Sequence, residues 1–512
     1  MKKNTIYLLL LLWCTVISQT VAKPEKENIY CALDKLPEAS EFLPKPPTVN
    51  SYQYAEDVIQ WTWGKSVRHT ERGTRASDES DLSSQCLYRI MGEALGIQLS
   101  EKNTPAICNL IRRCASTGNA SIRYTKNLYR RERPFMVFND QIWGKYDGEH
   151  LRKNGSYPSG HQTSMMTAAL AVAEIAPEKQ DTILRRGFEY GDSRVIVGAH
   201  WQSDVDAARL AAAATFVQLH NESSYTNDMM AAYMEYQKIK GRDIYYVINQ
   251  VHYPHIEKVL GTPVDYESPR FYADVMSYIS GKEERNTERG QQAVADGDPS
   301  LEYQLKMFSE CINMEISETN TPALMKLMEK TRAMLKESNK EAKKVYFRKR
   351  PYVQFGEVSG TPEYDEADKD ESSYPSGHAM VGWGEALVLS QIIPEHMNQI
   401  LERGYEYGRS RIILGYHYAS DVTAARFLAS ATVVQLYTSS EFWELVLEAK
   451  REHIMGNSKS EPIFTEVEES TGNADNKKPA IQGWYNLAGQ KLPYEPTESG
   501  IYIHDGEKVL VK

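Results

Sequence analysis

The sequence predicts an all-α protein, built from two tandem helical-bundle domains and followed by a short β segment at the C-terminus. Two observations predict this fold class. The chain repeats itself at a constant spacing of 217 residues, so that Thr70–Gly73 recurs as Thr287–Gly290 and His161 recurs as His378. Within each copy, apolar residues recur at helical spacing, and alternating strand patterns are scarce before residue 480. A repeat this long indicates duplication of a whole domain, because solenoid periods are far shorter.

Size and charge limit the classes of protein to which the chain can belong. It has 512 residues, 41% hydrophobic and 25% charged, which is enough material for several domains that each bury a core. Its formal net charge is −10. General nucleic-acid binding is therefore disfavoured, since neutralising backbone phosphates needs clustered Lys and Arg.

The first segment, residues 1–22, has the pattern of a signal peptide. Lys2-Lys3 precedes the apolar run Ile6 to Ile17, and Thr20-Val21-Ala22 offers small residues for cleavage. A membrane anchor is the alternative, but the run is short for a spanning helix. No later stretch approaches the ~20 apolar residues that a span requires. We expect bacterial export to the periplasm or medium, with no integral membrane segment in the mature chain.

The first domain is predicted to cover residues 46–250. Its clearest helical segments are Thr163 to Ile175, Asp181 to Tyr190 and Asp204 to His220, which are rich in Ala and carry apolar residues at helical spacing. Gly191 is interpreted as the stop of the second of these helices.

The second domain, residues 262–455, repeats this pattern after a proline-containing linker over residues 251–268. Residues 456–479 are polar and charged, a composition typical of flexible segments. The last part, residues 480–512, predicts short strands, with a turn at Asp505-Gly506.

Cysteine usage leaves the disulfide pairing open. Without Cys14 in the leader, the remaining cysteines are Cys31, Cys86, Cys108, Cys114 and Cys311. Export permits disulfides, but an odd number leaves at least one thiol unpaired or paired outside the chain. Cys108 and Cys114 lie in a predicted helix, too far apart to bridge unless the helix breaks.

Each copy carries the same set of polar residues, suited to holding a phosphate and attacking its phosphorus. In the first copy these are Lys126, Arg133, Ser159, Gly160, His161, Arg194, His200 and Asp204. In the second copy they are Lys343, Arg350, Ser376, Gly377, His378, Arg411, His417 and Asp421. The cations can neutralise a phosphomonoester, and arginine forks match its oxygens. Ser-Gly-His stands where an Ala-rich helix begins, and a helix N-terminus favours an anion.

The two histidines of each copy are expected to have different roles. His200 and Asp204 are four residues apart, so on a helix they would share a face. A carboxylate on one ring nitrogen fixes the tautomer and frees the other nitrogen for attack. We therefore expect His200 to form a phosphohistidine and His161 to protonate the leaving oxygen, with His417 and His378 doing the same in the second copy. No carboxylate cluster suggests a metal, and no cofactor is expected.

These residues carry a resemblance to a known family. The spacing Lys-x6-Arg-Pro, Pro-Ser-Gly-His and Ser-Arg-x5-His-x3-Asp is similar to the signature of the type 2 phosphatidic acid phosphatase superfamily, which also contains vanadium haloperoxidases. Lys153 to His161, Arg186 to Gly191 and Ser203 to Arg209 resemble the bacterial class A non-specific acid phosphatases. The likeness covers both units. It implies an all-helical, haloperoxidase-like fold, a periplasmic location, broad phosphomonoester substrates, an acidic optimum and the same histidine roles.

The sequence therefore predicts an exported, metal-independent acid phosphatase with two complete active sites. Its expected partners are small phosphorylated substrates. Since single-unit family members oligomerise, the chain is expected to be either a homo-oligomer or an intramolecular pair of domains. One alternative is a vanadate-dependent haloperoxidase. Another is that one unit is a non-catalytic phosphate-binding module.

Three substitutions beside the repeated set distinguish the two copies. Trp201 becomes Tyr418, Phe135 becomes Tyr352 and Gln162 becomes Ala379. If these side chains line the leaving-group pockets, the two sites should share one reaction but prefer modestly different leaving groups.

Overall fold

The computed structural model of the chain describes residues 28–242, residues 252–458 and four short strands between 484 and 511. The predicted signal peptide, residues 1–22, lies outside the described residues, as do Cys14, the Asp505-Gly506 turn and part of the linker. The described residues are helical apart from these strands and the connecting loops, so the predicted all-α fold class is confirmed.

The helices of the first copy follow the order expected from the sequence. They are α1 (Ala39–Phe42), α2 (Tyr52–Ser66), α3 (Glu71–Asp78), α4 (Ser84–Leu95), α5 (Pro105–Ser121), α6 (Arg123–Tyr129), α7 (Pro134–Val137), α8 (Gly160–Ile175), α9 (Gln180–Ile196), α10 (Gln202–Leu219) and α11 (Ser223–Ile239). Single 3₁₀ turns lie at Leu33–Lys35, Glu149–Lys153 and Pro177–Lys179.

The second copy repeats the series with small changes. Its helices are α12 (Ile256–Val259), α13 (Arg270–Glu284), α14 (Glu288–Ala295), α15 (Leu301–Ile312), α16 (Pro322–Val345), α17 (Pro351–Phe355), α18 (Asp365–Asp368), α19 (Gly377–Ile392), α20 (Met397–Leu414), α21 (Ala419–Tyr437) and α22 (Ser440–Ser458). The single 3₁₀ turns of this copy are Pro362–Tyr364 and Pro394–His396.

Two compact units are distinguished, of which the larger, residues 28–446, contains both copies. The smaller unit includes residues 447–512 and carries an antiparallel sheet with the strand order β2-β1-β3-β4. Its strands are β1 (Trp484–Tyr485), β2 (Lys491–Leu492), β3 (Gly500–His504) and β4 (Glu507–Val511). Gly500 pairs with Val511 and His504 with Glu507, which is the register of a hairpin.

The core of the first copy is built around α8, which is buried on all sides rather than on one face. It contacts α5, α9 and α10. Close packing explains an error in the sequence prediction, because Gly191 does not end α9 and the helix continues to Ile196. A Cβ at position 191 would lie 2.0 Å from Oε1 of Gln162 on α8, so the glycine permits close packing of the two helices.

The repeated Thr-Glu-Arg-Gly motif is structural. Thr70 caps α3 by accepting a hydrogen bond from Gly73 N–H, and a Cβ on Gly73 would lie 2.1 Å from the Arg68 carbonyl oxygen. Arg72 donates to Ser193 Oγ at 3.0 Å and to the Glu189 carbonyl, which ties α3 to α9. The sequence suggested a buried ion pair here. In the second copy Arg289 does form one with Glu406, but the pair is half-buried.

The two copies exchange their N-terminal arms. Helix α1 packs against α20 of the second copy, and its counterpart α12 packs against α9 of the first. Glu38 N–H donates to Asn398 Oδ1 at 3.0 Å, and His255 N–H donates to Asp181 Oδ1 at 3.0 Å. Glu38 and His255 are 217 residues apart, as are Asp181 and Asn398, so the exchange is reciprocal.

The copies also meet through their core helices. Helix α8 contacts α21, and α10 contacts both α19 and α21. Gln218 donates to the Ser390 carbonyl oxygen at 2.8 Å, and the Phe188 and Phe427 rings lie 5.4 Å apart. Two pseudo-symmetric helical domains therefore form one body within residues 28–446.

The exchanged arm makes a testable contribution to stability. Phe42 is 2% exposed and stacks on Trp383 of the other copy, with ring centroids 6.3 Å apart. We expect Phe42→Ala to lower the free energy of unfolding by about 3–5 kcal/mol, as for other buried aromatic truncations. Urea unfolding measures this change. The exposed Leu33 provides the control, since Leu33→Ala should stay within about 0.5 kcal/mol of the parent. Equal effects for the two variants would contradict the docking of the arm.

Candidate active site

The first pocket is assembled where α9 ends and α10 begins. After α9 the chain turns at Gly198, whose φ of +80° suits glycine. His200 follows, and Asp204 in the first turn of α10 accepts a hydrogen bond from Trp201 N–H at 2.9 Å. His200 therefore precedes the helix, and the prediction that it shares a helical face with Asp204 is wrong. The capping turn brings the two side chains together instead, with His200 Nδ1 3.3 Å from Asp204 Oδ2.

Two contacts define the tautomer of His200. Its Nε2 lies 3.0 Å from Nη1 of Arg133, and an arginine nitrogen can only donate. Nε2 is therefore the acceptor with the lone pair, and Nδ1 carries the proton that faces Asp204. Burial, Arg133 and Lys126 lower the pKa of His200 well below its ordinary value, although Asp204 opposes them. The imidazole is neutral, with its Nε2 lone pair available.

A buried ion network supports Asp204. Arg131 donates from Nη1 to Asp204 Oδ1 at 2.6 Å and from Nη2 to Asp57 Oδ2 at 2.7 Å. Asp57 also accepts from Ser203 N–H at 2.7 Å, which fixes the start of α10. Burial opposes ionisation of Asp204, but Arg131 and His200 outweigh it and hold the pKa of Asp204 below its usual range. Asp204 is thus a carboxylate that can stabilise a positive charge on His200.

His161 stands at the N-terminus of α8, opposite this network. Its Nε2 lies 3.1 Å from the Ser80 carbonyl oxygen, so Nε2–H donates and Nδ1 is the remaining nitrogen. Burial, Arg194 and His200 lower its pKa well below the ordinary value. Ser159 N–H donates to the Asp204 carbonyl oxygen at 2.9 Å, which joins the starts of α8 and α10. A Cβ on Gly160 would lie 2.7 Å from Asn119 Oδ1, which leaves no room for a side chain.

Three cations surround the same space. Lys126 Nζ donates to the Pro158 carbonyl oxygen at 2.8 Å, and burial with the nearby Arg133 lowers its pKa to about 7. Arg133 donates to the Leu151 and Ala199 carbonyl oxygens at 3.0 and 2.8 Å, which fixes its guanidinium. Arg194 is buried, and its Nε and Nη1 have no hydrogen-bond partner within the described part of the chain. Such unpaired donors suit the oxygens of a phosphate.

The second pocket repeats the first, with one difference at the nucleophile. His417 Nε2 lies 3.2 Å from Arg350 Nη1, but Nδ1 donates to the Ser373 carbonyl oxygen at 2.6 Å. Asp421 Oδ2 accepts from Ser373 Oγ at 2.6 Å, so the predicted direct His417–Asp421 contact is wrong and Ser373 stands between them. The tautomer is nevertheless the same as in the first pocket.

The remaining members of the second set keep their counterparts' positions. His378 Nε2 lies 3.2 Å from the Gly297 carbonyl oxygen, and Lys343 Nζ donates to the Ser372 carbonyl. Ser376 caps α19, and Gly377 is its first residue. Arg411 packs over the Tyr416 ring at 4.3 Å. The structure thus brings the predicted residues of each copy into one pocket.

Comparison with known proteins places this pattern in a family. The model described as PAP2 superfamily matches residues 107–225 and 332–444. The chain is 40% identical over 199 residues to a protein named non-specific acid phosphatase from Providencia stuartii, covering 39% of this chain and 80% of that protein. The chain belongs to the PAP2 superfamily. A non-specific acid phosphatase of Salmonella typhimurium is 35% identical over 37% of this chain and 76% of its own length. An acid phosphatase of Zymomonas mobilis is 34% identical over 39% and 75%.

Sequence reasoning missed the residues that support the PAP2 pockets. Arg131 and Asp57 have counterparts 217 residues later, where Arg348 donates to Asp421 at 2.5 Å and to Asp274 at 2.8 Å. Their conservation within the repeat was the available signal. Asp147, which forms an ion pair with Arg194 at 2.7 Å, gave no such signal because position 364 is a tyrosine.

The substitutions that distinguish the two PAP2 units lie beneath the pockets. Trp201 is 1% exposed, and its indole N–H donates to the Glu132 carbonyl oxygen, while Tyr418 is fully buried. Phe135 and Tyr352 are 3% exposed, and Gln162 is fully buried. Such side chains cannot stack on a leaving group from these positions, so they do not support the expected difference in specificity.

Three further searches cover only the residues that the structure describes. No helix among them is long and apolar enough to cross a membrane. They contain no group of three or more His, Cys, Asp and Glu side chains arranged to hold a metal ion. The cysteines among them are free thiols: Cys31, Cys86, Cys108, Cys114 and Cys311.

Proposed function

We propose that this PAP2 protein is an acid phosphatase that hydrolyses a broad range of phosphate monoesters at two complete sites through a phosphohistidine. The observation that carries the proposal is the orientation of His200. Its Nδ1–H faces Asp204, and its Nε2 lone pair faces the cations of the pocket. The relatives named acid phosphatases support the substrate class.

The first chemical step is assigned to His200 and His161. Arg133 Nη1 moves from His200 Nε2 to a phosphate oxygen, which exposes the lone pair. Nε2 attacks phosphorus, the bond from phosphorus to the ester oxygen breaks, and protonated His161 delivers a proton from Nδ1 to the leaving alcohol. Asp204 stabilises the positive imidazole, while Arg194 and Lys126 balance the charge on the phosphoryl oxygens.

The second step reverses these roles. Neutral His161 takes a proton from water as the water oxygen attacks phosphorus, and the bond from phosphorus to Nε2 breaks. Inorganic phosphate leaves, and His200 returns to its neutral tautomer. His417 and His378 act in the same way in the second unit. None of these steps requires a metal ion or an organic cofactor.

Export and assembly belong to the same proposal. We infer that residues 1–22 direct the chain to the periplasm or medium and are then removed. The intramolecular pair of domains, with its exchanged arms, takes the place of an oligomer of single-unit proteins.

The test is phosphate release from a panel of nucleotide, sugar and aryl phosphates, measured with a chelator present and across pH. Turnover should survive the chelator and be inhibited by vanadate, which resembles the transition state. Loss of turnover that returns with added zinc or magnesium would contradict the mechanism. Bromide or iodide oxidation with added vanadate, but no phosphate release without it, would favour a haloperoxidase.

The pH profile in this experiment has an expected shape. Burial and the neighbouring cations lower the pKa values of both His161 and His200 in the free enzyme. His200 stays neutral to low pH and His161 loses its proton early, so the bell should lie on the acid side. A bound phosphate dianion raises the pKa of His161. The alkaline limb of kcat/KM should therefore fall at lower pH than that of kcat. Coincident limbs, or an optimum in the alkaline range, would contradict the assignment.

A further inference from the structure

The two phosphate pockets differ at one contact. In the first pocket Arg194 Nη2 and Asp147 Oδ1 lie 2.7 Å apart, and the side chains are 0% and 2% exposed. The carboxylate occupies one edge of a guanidinium that the phosphate also needs. It cancels the charge of the arginine, because at this distance in a buried site the two charges interact strongly.

The loop that carries Asp147 is held inward by several contacts. Asp147 N–H donates to the Gly144 carbonyl oxygen at 3.2 Å, and a Cβ on Gly144 would lie 2.0 Å from Asp147 Oδ2. Tyr146 N–H donates to Ser80 Oγ at 2.9 Å, and Ser77 Oγ donates to the Trp143 carbonyl oxygen at 2.9 Å. The carboxylate is therefore part of the pocket rather than a passing surface group.

The second pocket has no equivalent carboxylate on its arginine. The residue 217 positions after Asp147 is Tyr364, whose side chain is 58% exposed. Arg411 is 4% exposed, makes no ion pair with any described residue and packs over Tyr416. Burial and the nearby Arg350 lower the pKa of Arg411 to about 10, as expected for a buried cation without a counter-ion.

Other charges near the second pocket do not replace this counter-ion. Asp368 and Glu371 act on Arg411 and Lys343 only from the partly or fully exposed rim. Arg332 acts on His378, and its partner Glu385 is 3.9 Å away. Burial raises the pKa of Glu385 to about 8, so this carboxyl is largely neutral and leaves Arg332 as an additional cation.

We propose that Asp147 is a resident counter-ion that makes the first site the weaker phosphate binder, so that the two sites are graded in affinity for phosphate groups. This inference rests on the proposed function, because it concerns the same pockets. A phosphate entering the first site meets a carboxylate at Arg194, whereas one entering the second supplies the charge that Arg411 lacks. The second site acts at low substrate and is the first to be inhibited by released phosphate. The first continues to act at high phosphate.

The test compares the sites one at a time in the full chain, using inorganic phosphate as the probe. His417→Ala leaves the first site active, and His200→Ala leaves the second. The Ki for phosphate should be roughly tenfold lower at the second site, the scale of one charge-assisted hydrogen bond. Asp147→Asn should lower the Ki of the first site by roughly tenfold and leave that of the second unchanged.

A surface carboxylate provides the matched control. Asp78 is 54% exposed and 3.7 Å from Lys145, so Asp78→Asn makes the same charge change outside the pocket and should leave both Ki values unchanged. If Asp147 only orients Arg194, Asp147→Asn will raise the Ki of the first site, and that result overturns the proposal. Asp147→Ser provides a second variant with the same expectation.

Titration calorimetry separates this inference from the proposed reaction, because it requires no turnover. The wild-type chain should bind inorganic phosphate in two classes, and Asp147→Asn should bring the two affinities together. One class in the wild type would overturn the grading even if both sites hydrolyse esters. Two classes that merge in the variant would uphold it even if the histidine assignments failed.

Discussion

Replacing both His200 and His417 with alanine should reduce phosphate release by about three to six orders of magnitude, the range for loss of a covalent nucleophile. Each imidazole presents its Nε2 lone pair to the pocket cations, and alanine has no atom that can attack phosphorus. Each single variant should keep the share of turnover that belongs to the other site, because the two pockets lie in different repeats. Initial rates with an aryl phosphate measure all three variants.

The control for this experiment is His396→Ala, a histidine of the second unit at a 3₁₀ turn outside both pockets. It should keep the parent rate. Acid-labile, base-stable radiolabel on the protein after quenching with labelled substrate would report the phosphohistidine directly. A double variant that releases phosphate at the parent rate would show that neither histidine is the nucleophile.

Removing the cation at the centre of the buried network should have the largest effect on stability. Arg131 lies between Asp57 and Asp204, and both carboxylates are fully buried. Arg131→Met leaves two uncompensated acids in the core, so we expect a loss of about 3–5 kcal/mol in the free energy of unfolding. Urea unfolding near neutral pH measures it, and Arg348→Met should have a similar effect in the second unit.

Two comparisons test the cause of that loss. Arg185 makes an exposed ion pair with Glu189, so Arg185→Met should cost less than about 1 kcal/mol. Burial raises the pKa of Asp57 to about 6 even with Arg131 present, so adding Asp57→Asn to Arg131→Met should recover part of the loss. No recovery would show that packing around Arg131, rather than unpaired charge, sets the stability.

The repeat carried most of what could be predicted from the sequence. A constant offset of 217 residues aligned both copies of the polar set, and helical spacing predicted α8, α9 and α10 within a few residues. Both signals survive without knowledge of tertiary structure, because they depend on order along the chain. The roles of the histidines, in contrast, follow from the chemistry of the set and remain proposals.

What sequence reasoning missed depends on contacts between distant segments. Spacing suggested that His417 would contact Asp421, but Ser373, far away in sequence, stands between them. Neighbours in sequence such as Trp201 pointed beneath the pocket, since a residue beside a catalytic group need not line the same cavity. Asp147 enters from a loop whose path is set by Ser77 and Ser80, and no local pattern encodes that path.

The exchanged arms have a consequence for how such a protein can evolve. In a dimer of identical chains every mutation appears twice, so the two centres must change together. Here the reciprocal packing of α1 and α12 preserves a dimer-like contact inside one polypeptide. A mutation then alters one half alone, and Asp147 opposite Tyr364 is a difference of that kind. Fusion allows selection to act on each centre separately while one translation product keeps the two halves in equal number.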